Sequence, residues 1–193
     1  MPIESDETAA PGAAAPAPSP IGSLVARRAI YSRNGVAWAS ARAWRHGSKA
    51  GDVQALKAAK RNVDQAVIDG AATELAALAR LLFGPLQGWA VSTVAVGHSR
   101  RPDSFAVRLA QAAAAALVLP FEKMFADRFV EGVSHPKEFS KLPPLSRLVA
   151  PAIPVLLVDD VATSGWHIEE AVSNLRSCGV ACFAMSWISG SVK

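Results

Sequence analysis

The sequence predicts an α/β fold built on a parallel, Rossmann-like sheet, with a helical N-terminal region ahead of it. Two segments carry that prediction. Val155-Leu156-Leu157-Val158 is an unbroken apolar run, the pattern of a strand covered on both faces, and a helix with Ile168, Ala171, Val172 and Leu175 on one side follows it. Val91-Ser92-Thr93-Val94-Ala95-Val96 is a second strand, again followed by a loop and a helix. Repeated strand–loop–helix units are what a parallel sheet is built from.

A chain of 193 residues closes one full hydrophobic core and is too short for two domains of ordinary size. Apolar residues make up 51% of it, which excludes a disordered protein, although alanine supplies much of that share and buries little area per residue. No apolar run approaches the ~20 residues of a membrane span; the stretch 106–119 is too short and carries Arg108 and Gln111. Glu4, Asp6 and Glu7 stand where a secretory signal has basic residues, so a cytoplasmic location is expected. Cys178 and Cys182 fit neither a zinc module nor a disulfide framework, and are expected to be small buried apolar residues in a reducing compartment.

Taken in order, residues 1–20 are an alanine- and proline-rich stretch with nothing large to bury, expected as a flexible tail. One domain is expected over 21–193, with a helical part over 21–87 and the core over 88–193. In the helical part Ala66, Ala71, Leu75, Leu78, Ala79 and Leu82 mark an apolar face that Gly84-Pro85 ends. Between Arg27 and Arg61 there are nine Lys or Arg and a single acidic residue, Asp52, alongside Trp38, Trp44 and His46. That stretch reads as a solvated helical face with its tryptophans on the core, as a rim that draws an anionic substrate, or as a nucleic-acid surface. The chain-wide charge of +4 suits all three.

In the core, the strand at 91–96 leads into Gly97-His98-Ser99-Arg100-Arg101-Pro102. A helix capped by Asp103 or Ser104 then turns Phe105, Leu109 and Ala113 inward and ends near Leu119-Pro120. The stretch 125–148 holds Arg128, His135, Lys137 and Lys141 among Gly132, Pro136, Pro143 and Pro144. It is long for a structureless connection, and reads equally as a lid or as a solvated connection with a short hairpin. A final strand over 180–188 includes Trp187, expected in the core.

The chemistry concentrates after the apolar run. Asp159 and Asp160 follow it at once, then Val161, Ala162, Thr163, Ser164 and Gly165, then the helix beginning near Trp166 and His167. A helix start offers unbonded amides and a positive dipole end, and a turn of small residues lets a phosphate approach them. Carboxylates only accept hydrogen bonds, so Asp159 and Asp160 suit hydroxyls or a hydrated divalent cation. A sugar with a phosphate at one end and a diol in the middle satisfies both halves.

The stretch 155–165 resembles the phosphoribosyl-pyrophosphate (PRPP) motif of type I phosphoribosyltransferases: four apolar residues, two acidic residues and a hydroxyl-rich turn, here with Ser164 in place of a Thr. The resemblance implies that Asp159 and Asp160 hold the ribose hydroxyls and that 161–167 wrap the 5′-phosphate. His167 stands where the family usually has Thr, with the bulky Trp166 before it. It further implies that Gly97, His98, Ser99, Arg100 and Arg101 form the pyrophosphate loop, and that 125–148 closes over PRPP with Lys137 as a catalytic cation. Mg²⁺ is implied as an ion carried by PRPP, with Asp159 and Asp160 reaching it through water and no direct protein ligand. Leu56-Lys57, Arg61, Val94-Ala95-Val96 and Arg101-Pro102-Asp103-Ser104-Phe105 are similar in order to the ComF-like branch, whose N-terminal four-cysteine module is missing. The activity implied is transfer of phosphoribosyl to a nitrogen of a nucleobase or related amine, with release of pyrophosphate. A PRPP-sensing regulator and a nucleic-acid-linked accessory protein are the alternatives, and a homodimer stays open.

Overall fold

In chain order the elements are β1 (Leu24–Arg33), β2 (Val36–Trp44), α1 (Ala50–Asn62), α2 (Gln65–Phe83), β3 (Ala90–Thr93), α3 (Phe105–Leu117), β4 (Val155–Ala162), α4 (Trp166–Arg176) and β5 (Cys182–Ser189). The computed structural model describes residues 21, 24–44, 50–95, 103–128 and 143–190. The strands form one sheet in the order β1-β2-β5-β4-β3. Only the β1–β2 pairing is antiparallel; β2–β5, β5–β4 and β4–β3 are parallel. The fold is α/β with a mostly parallel sheet.

β4 forms where the sequence has its apolar run, and Val155, Leu156, Leu157 and Val158 are all buried because helices cover both faces. On one face, α2 and α3 pack over Val91, Leu156, Val158, Met185 and Trp187. On the other, α4 packs over Leu157 and Ala184 with Ile168, Ala171, Val172 and Leu175, the four positions its periodicity singles out. Ser104 caps α3, accepting from the Val107 N–H at 3.5 Å, and Phe105, Leu109 and Ala113 face the core.

The connections locate a topological switch point. After α3, Phe121 makes a parallel bridge to Val91, on the side of β3 away from β4. The chain therefore leaves β3 outward through α3, and leaves β4 in the opposite direction through α4 toward β5, on the other face. The gap between the carboxyl ends of β3 and β4 is the switch point of the sheet, where open α/β sheets bind ligands.

Several expectations need correction. Residues 24–44 are not helical: they form a hairpin, joined by Asn34 and Gly35 with φ of 47° and 78°. Two consecutive positive φ values make the tight turn whose twist matches paired strands. Helix begins only at α1. In α2 the buried face is Val67, Ile68, Ala71, Ala72, Leu75, Ala76, Leu78 and Ala79, while Ala66 and Leu82 are exposed. β3 ends at Thr93, so Val94 and Ala95 are buried without belonging to the strand. Cys178 is exposed beyond the end of α4, where Arg147 donates to its sulfur and lowers its pKa, and Cys182 is half-buried.

Candidate functional site

β4 does not stop at the apolar run. It continues through the acidic pair, with Asp159 in register with Ser186 and Val161 with Ile188. The two aspartates are consequently 8% and 7% exposed, at the carboxyl end of the strand that borders the switch point. Carboxylates at such depth need partners. Asp159 Oδ1 accepts from the Asp160 N–H at 2.9 Å, and the Val161 N–H also favours its charged form. Asp160 Oδ2 lies 2.7 Å from Lys60 Nζ, which reaches it from the last turn of α1. Lost hydration first, and then the charge on Asp160, push the Asp159 pKa up to about 7 against the opposing pull of Lys60. For Lys60, burial works against the charge, but the Asp160 carboxylate outweighs it and the pKa lies above its ordinary value.

The turn beyond the pair is open at Thr163 and Ser164, which are exposed, while Val161 is half-buried and Ala162 buried. Gly165 has φ +71°, and a Cβ placed there would lie 2.3 Å from a ring carbon of Trp38. Both the conformation and the space exclude any residue but glycine. Trp38 is itself fixed by its Nε1–H, which donates to Ser189 Oγ at 3.0 Å. The first intrahelical bond of α4 runs from the Glu169 N–H to the Gly165 carbonyl at 2.9 Å, and Gly165 supplies no side-chain cap. The positive end of the helix therefore faces the turn. Trp166 and His167 are half-buried and meet edge to face at 5.1 Å.

Two ionic ties hold the start of α4 in place. Glu169 accepts from Arg33 and, at 2.8 Å, from Asn34 at the hairpin tip; the Asn34 amide, with Arg33, keeps its carboxyl below the usual range. Glu170 is gripped by both ends of the Arg128 guanidinium, which also donates to the Pro143 carbonyl at 2.9 Å and lies 5.6 Å from the Trp166 ring centroid. The flanks of the long connection pair with one another, Phe125 bridging Arg147.

Asp159, Asp160, Val161, Ala162, Thr163, Ser164, Gly165, Trp166 and His167 are thus brought together on one strand–turn–helix unit. Gly97, His98, Ser99, Arg100, Arg101 and Lys137 lie outside the described residues. Lys60 is the residue that sequence reasoning missed. Its only local signal is a cation in the last turn of a helix, which serves the helix dipole equally well.

The basic N-terminal stretch changes character in three dimensions. Arg42 is 3% exposed and pairs with Glu74 of α2, Nε to Oε2 at 2.7 Å; Trp187 Nε1 donates to the same oxygen at 3.1 Å. Trp38 is buried and Trp44 packs against the core. The aromatic residues described there are structural, and the described arginines and lysines do not alternate with exposed rings as a nucleic-acid surface would require.

Among the described residues, no three His, Cys, Asp or Glu side chains converge to hold a metal ion. Among the described residues no helix is long and apolar enough to cross a membrane.

No protein-family model and no curated protein sequence matches the chain. Solved structures do resemble it. The allosteric regulatory enzyme of purine biosynthesis is 21% identical over 63% of this chain and 26% of its own, with a TM-score of 0.39. UMP synthase from Leishmania donovani is 12% identical over 91% of this chain and 30% of its own, with a TM-score of 0.43. Orotate phosphoribosyltransferase from Aeropyrum pernix is 20% identical over 88% and 77%, with a TM-score of 0.39. The chain spans less than a third of the first two proteins. Overlaps of this size are likeness alone, and the chemistry of the site rests on its own residues.

Proposed function

We propose that the chain binds PRPP and transfers its phosphoribosyl group to a nitrogen of a nucleobase or related amine, releasing pyrophosphate. One observation carries this reading: two adjacent carboxylates at the end of β4 are followed, on the same strand–turn–helix unit, by exposed hydroxyls and a left-handed glycine that opens α4. Carboxyl groups, which accept hydrogen bonds from hydroxyls, beside a helix start that donates them suit a ligand with hydroxyls at one place and a phosphate at another.

In this reading Asp159 and Asp160 accept from the ribose hydroxyls and fix the ring. Thr163, Ser164 and the amides after Gly165 hold the 5′-phosphate. Cleavage at the anomeric carbon leaves positive charge on the ribose and negative charge on the pyrophosphate, so holding both ends in place is the main catalytic demand. Asp159, able to exchange a proton near neutrality, is suited to relay the proton that the acceptor nitrogen loses. Mg²⁺, entering with PRPP, supplies charge neutralisation to the pyrophosphate. Gly97 to Arg101 and Lys137 are proposed to meet the pyrophosphate. The ComF-like branch and a cytoplasmic setting belong to the same proposal.

A regulator that binds PRPP without turning it over is favoured by one contact, the Lys60 ammonium already seated on Asp160. Pyrophosphate release separates the two readings. With Mg-PRPP and a panel of purine, pyrimidine and simple amine acceptors, the parent chain releases pyrophosphate with at least one of them. Asp160→Asn slows that release by about a hundredfold. Binding with no release for any acceptor establishes the regulator instead.

A further inference from the structure

Lys60 belongs to none of the motifs that the proposed function uses. Its ammonium lies 2.7 Å from Asp160 Oδ2, and its side chain is 37% exposed where that of Asp160 is 9% exposed, so solvent reaches part of the lysine while the carboxylate it holds is buried. The contact is not generic surface pairing: α1 is anchored by Leu56 and Ala59, both buried in the hydrophobic cluster that α2 and α3 share with the sheet. A phosphorylated sugar seated beside Asp160 brings negative charge to a buried carboxylate, and that repulsion is strong where water is scarce. An ammonium has three donors on a flexible stem, enough to keep one carboxylate and serve a second acceptor at once.

We propose that Lys60 is a substrate-binding residue of this site, its ammonium bridging Asp160 and an anionic oxygen of the phosphorylated ribose so that the acidic pair can accept a negatively charged ligand. The inference rests on the phosphoribosyl reading above and adds a residue that no motif predicts.

Ribose 5-phosphate, which cannot react, is the probe. In calorimetric titrations the parent chain binds it, Lys60→Met binds it about tenfold more weakly or worse, and Lys60→Arg stays within about threefold of the parent. The parent affinity also falls more steeply with added salt than that of Lys60→Met, which a purely structural lysine would not produce. A measurement on the unsubstituted chain removes dependence on folding of the variants: saturating ribose 5-phosphate slows acetylation of Lys60 by acetic anhydride, read by mass spectrometry. If the parent binds the sugar while Lys60→Met binds equally well, or labelling of Lys60 is unchanged, the role of Lys60 is overturned and the site stands. If the parent binds no ribose 5-phosphate, the site reading falls and Lys60 falls with it.

Discussion

Asp159 holds its proton near neutrality because it is out of water and next to Asp160. The folded pKa of about 7 lies above the ordinary 3.8, so between those values the folded chain keeps a proton that the unfolded chain gives up. The contribution of this residue to stability is therefore full at low pH and is lost as pH rises through that window. Asp159→Asn has no charge to bury: it should melt higher than the parent at pH 8, with the gap closing as the pH is lowered toward 5. A gap of constant size across that range would show that the carboxyl does not titrate as described. The acidic pair and Gly165 were legible in the sequence because the motif is contiguous. Lys60 was not, since nothing local says which surface the end of α1 will touch. Trp38 was legible only as an aromatic; its position against Gly165 depends on β2 lying beside β5.

At the scale of elements, β4, α3 and α4 follow from local pattern, because each carries its own periodicity and its own turn. The β1–β2 hairpin does not. Alanine dominates β2, blurring the alternation of a strand, and Arg42 looks like a surface residue until Glu74 is brought to it. One signal was present and passed over: Asn34-Gly35 between two mixed runs is the turn chemistry of a two-residue hairpin. The hairpin is then tied to the rest by Arg42, Glu74 and Trp187, and by Arg33 and Asn34 on Glu169. Glu74→Ala leaves the Arg42 guanidinium buried without its carboxylate and should cost about 3 kcal/mol in denaturant unfolding. A loss of a few tenths would mean that water reaches Arg42 and that the pair contributes little.

For the whole molecule, what matters is where the sheet reverses direction. α3 and α4 leave β3 and β4 on opposite faces, and the acidic pair, the glycine turn and the start of α4 sit together at the resulting switch point. The α/β class was readable from two strand–loop–helix units, whereas strand order was not, because the pairing of β2 with β5 joins distant parts of the chain. Calorimetry with PRPP and Mg²⁺, on the parent and on the double variant Asp159→Asn/Asp160→Asn, addresses this switch point without requiring knowledge of the acceptor. Saturable binding by the parent, weakened at least about a hundredfold in the double variant, is the expected result; equal binding by the two chains, or none by the parent, would contradict a phosphoribosyl site at the end of β4.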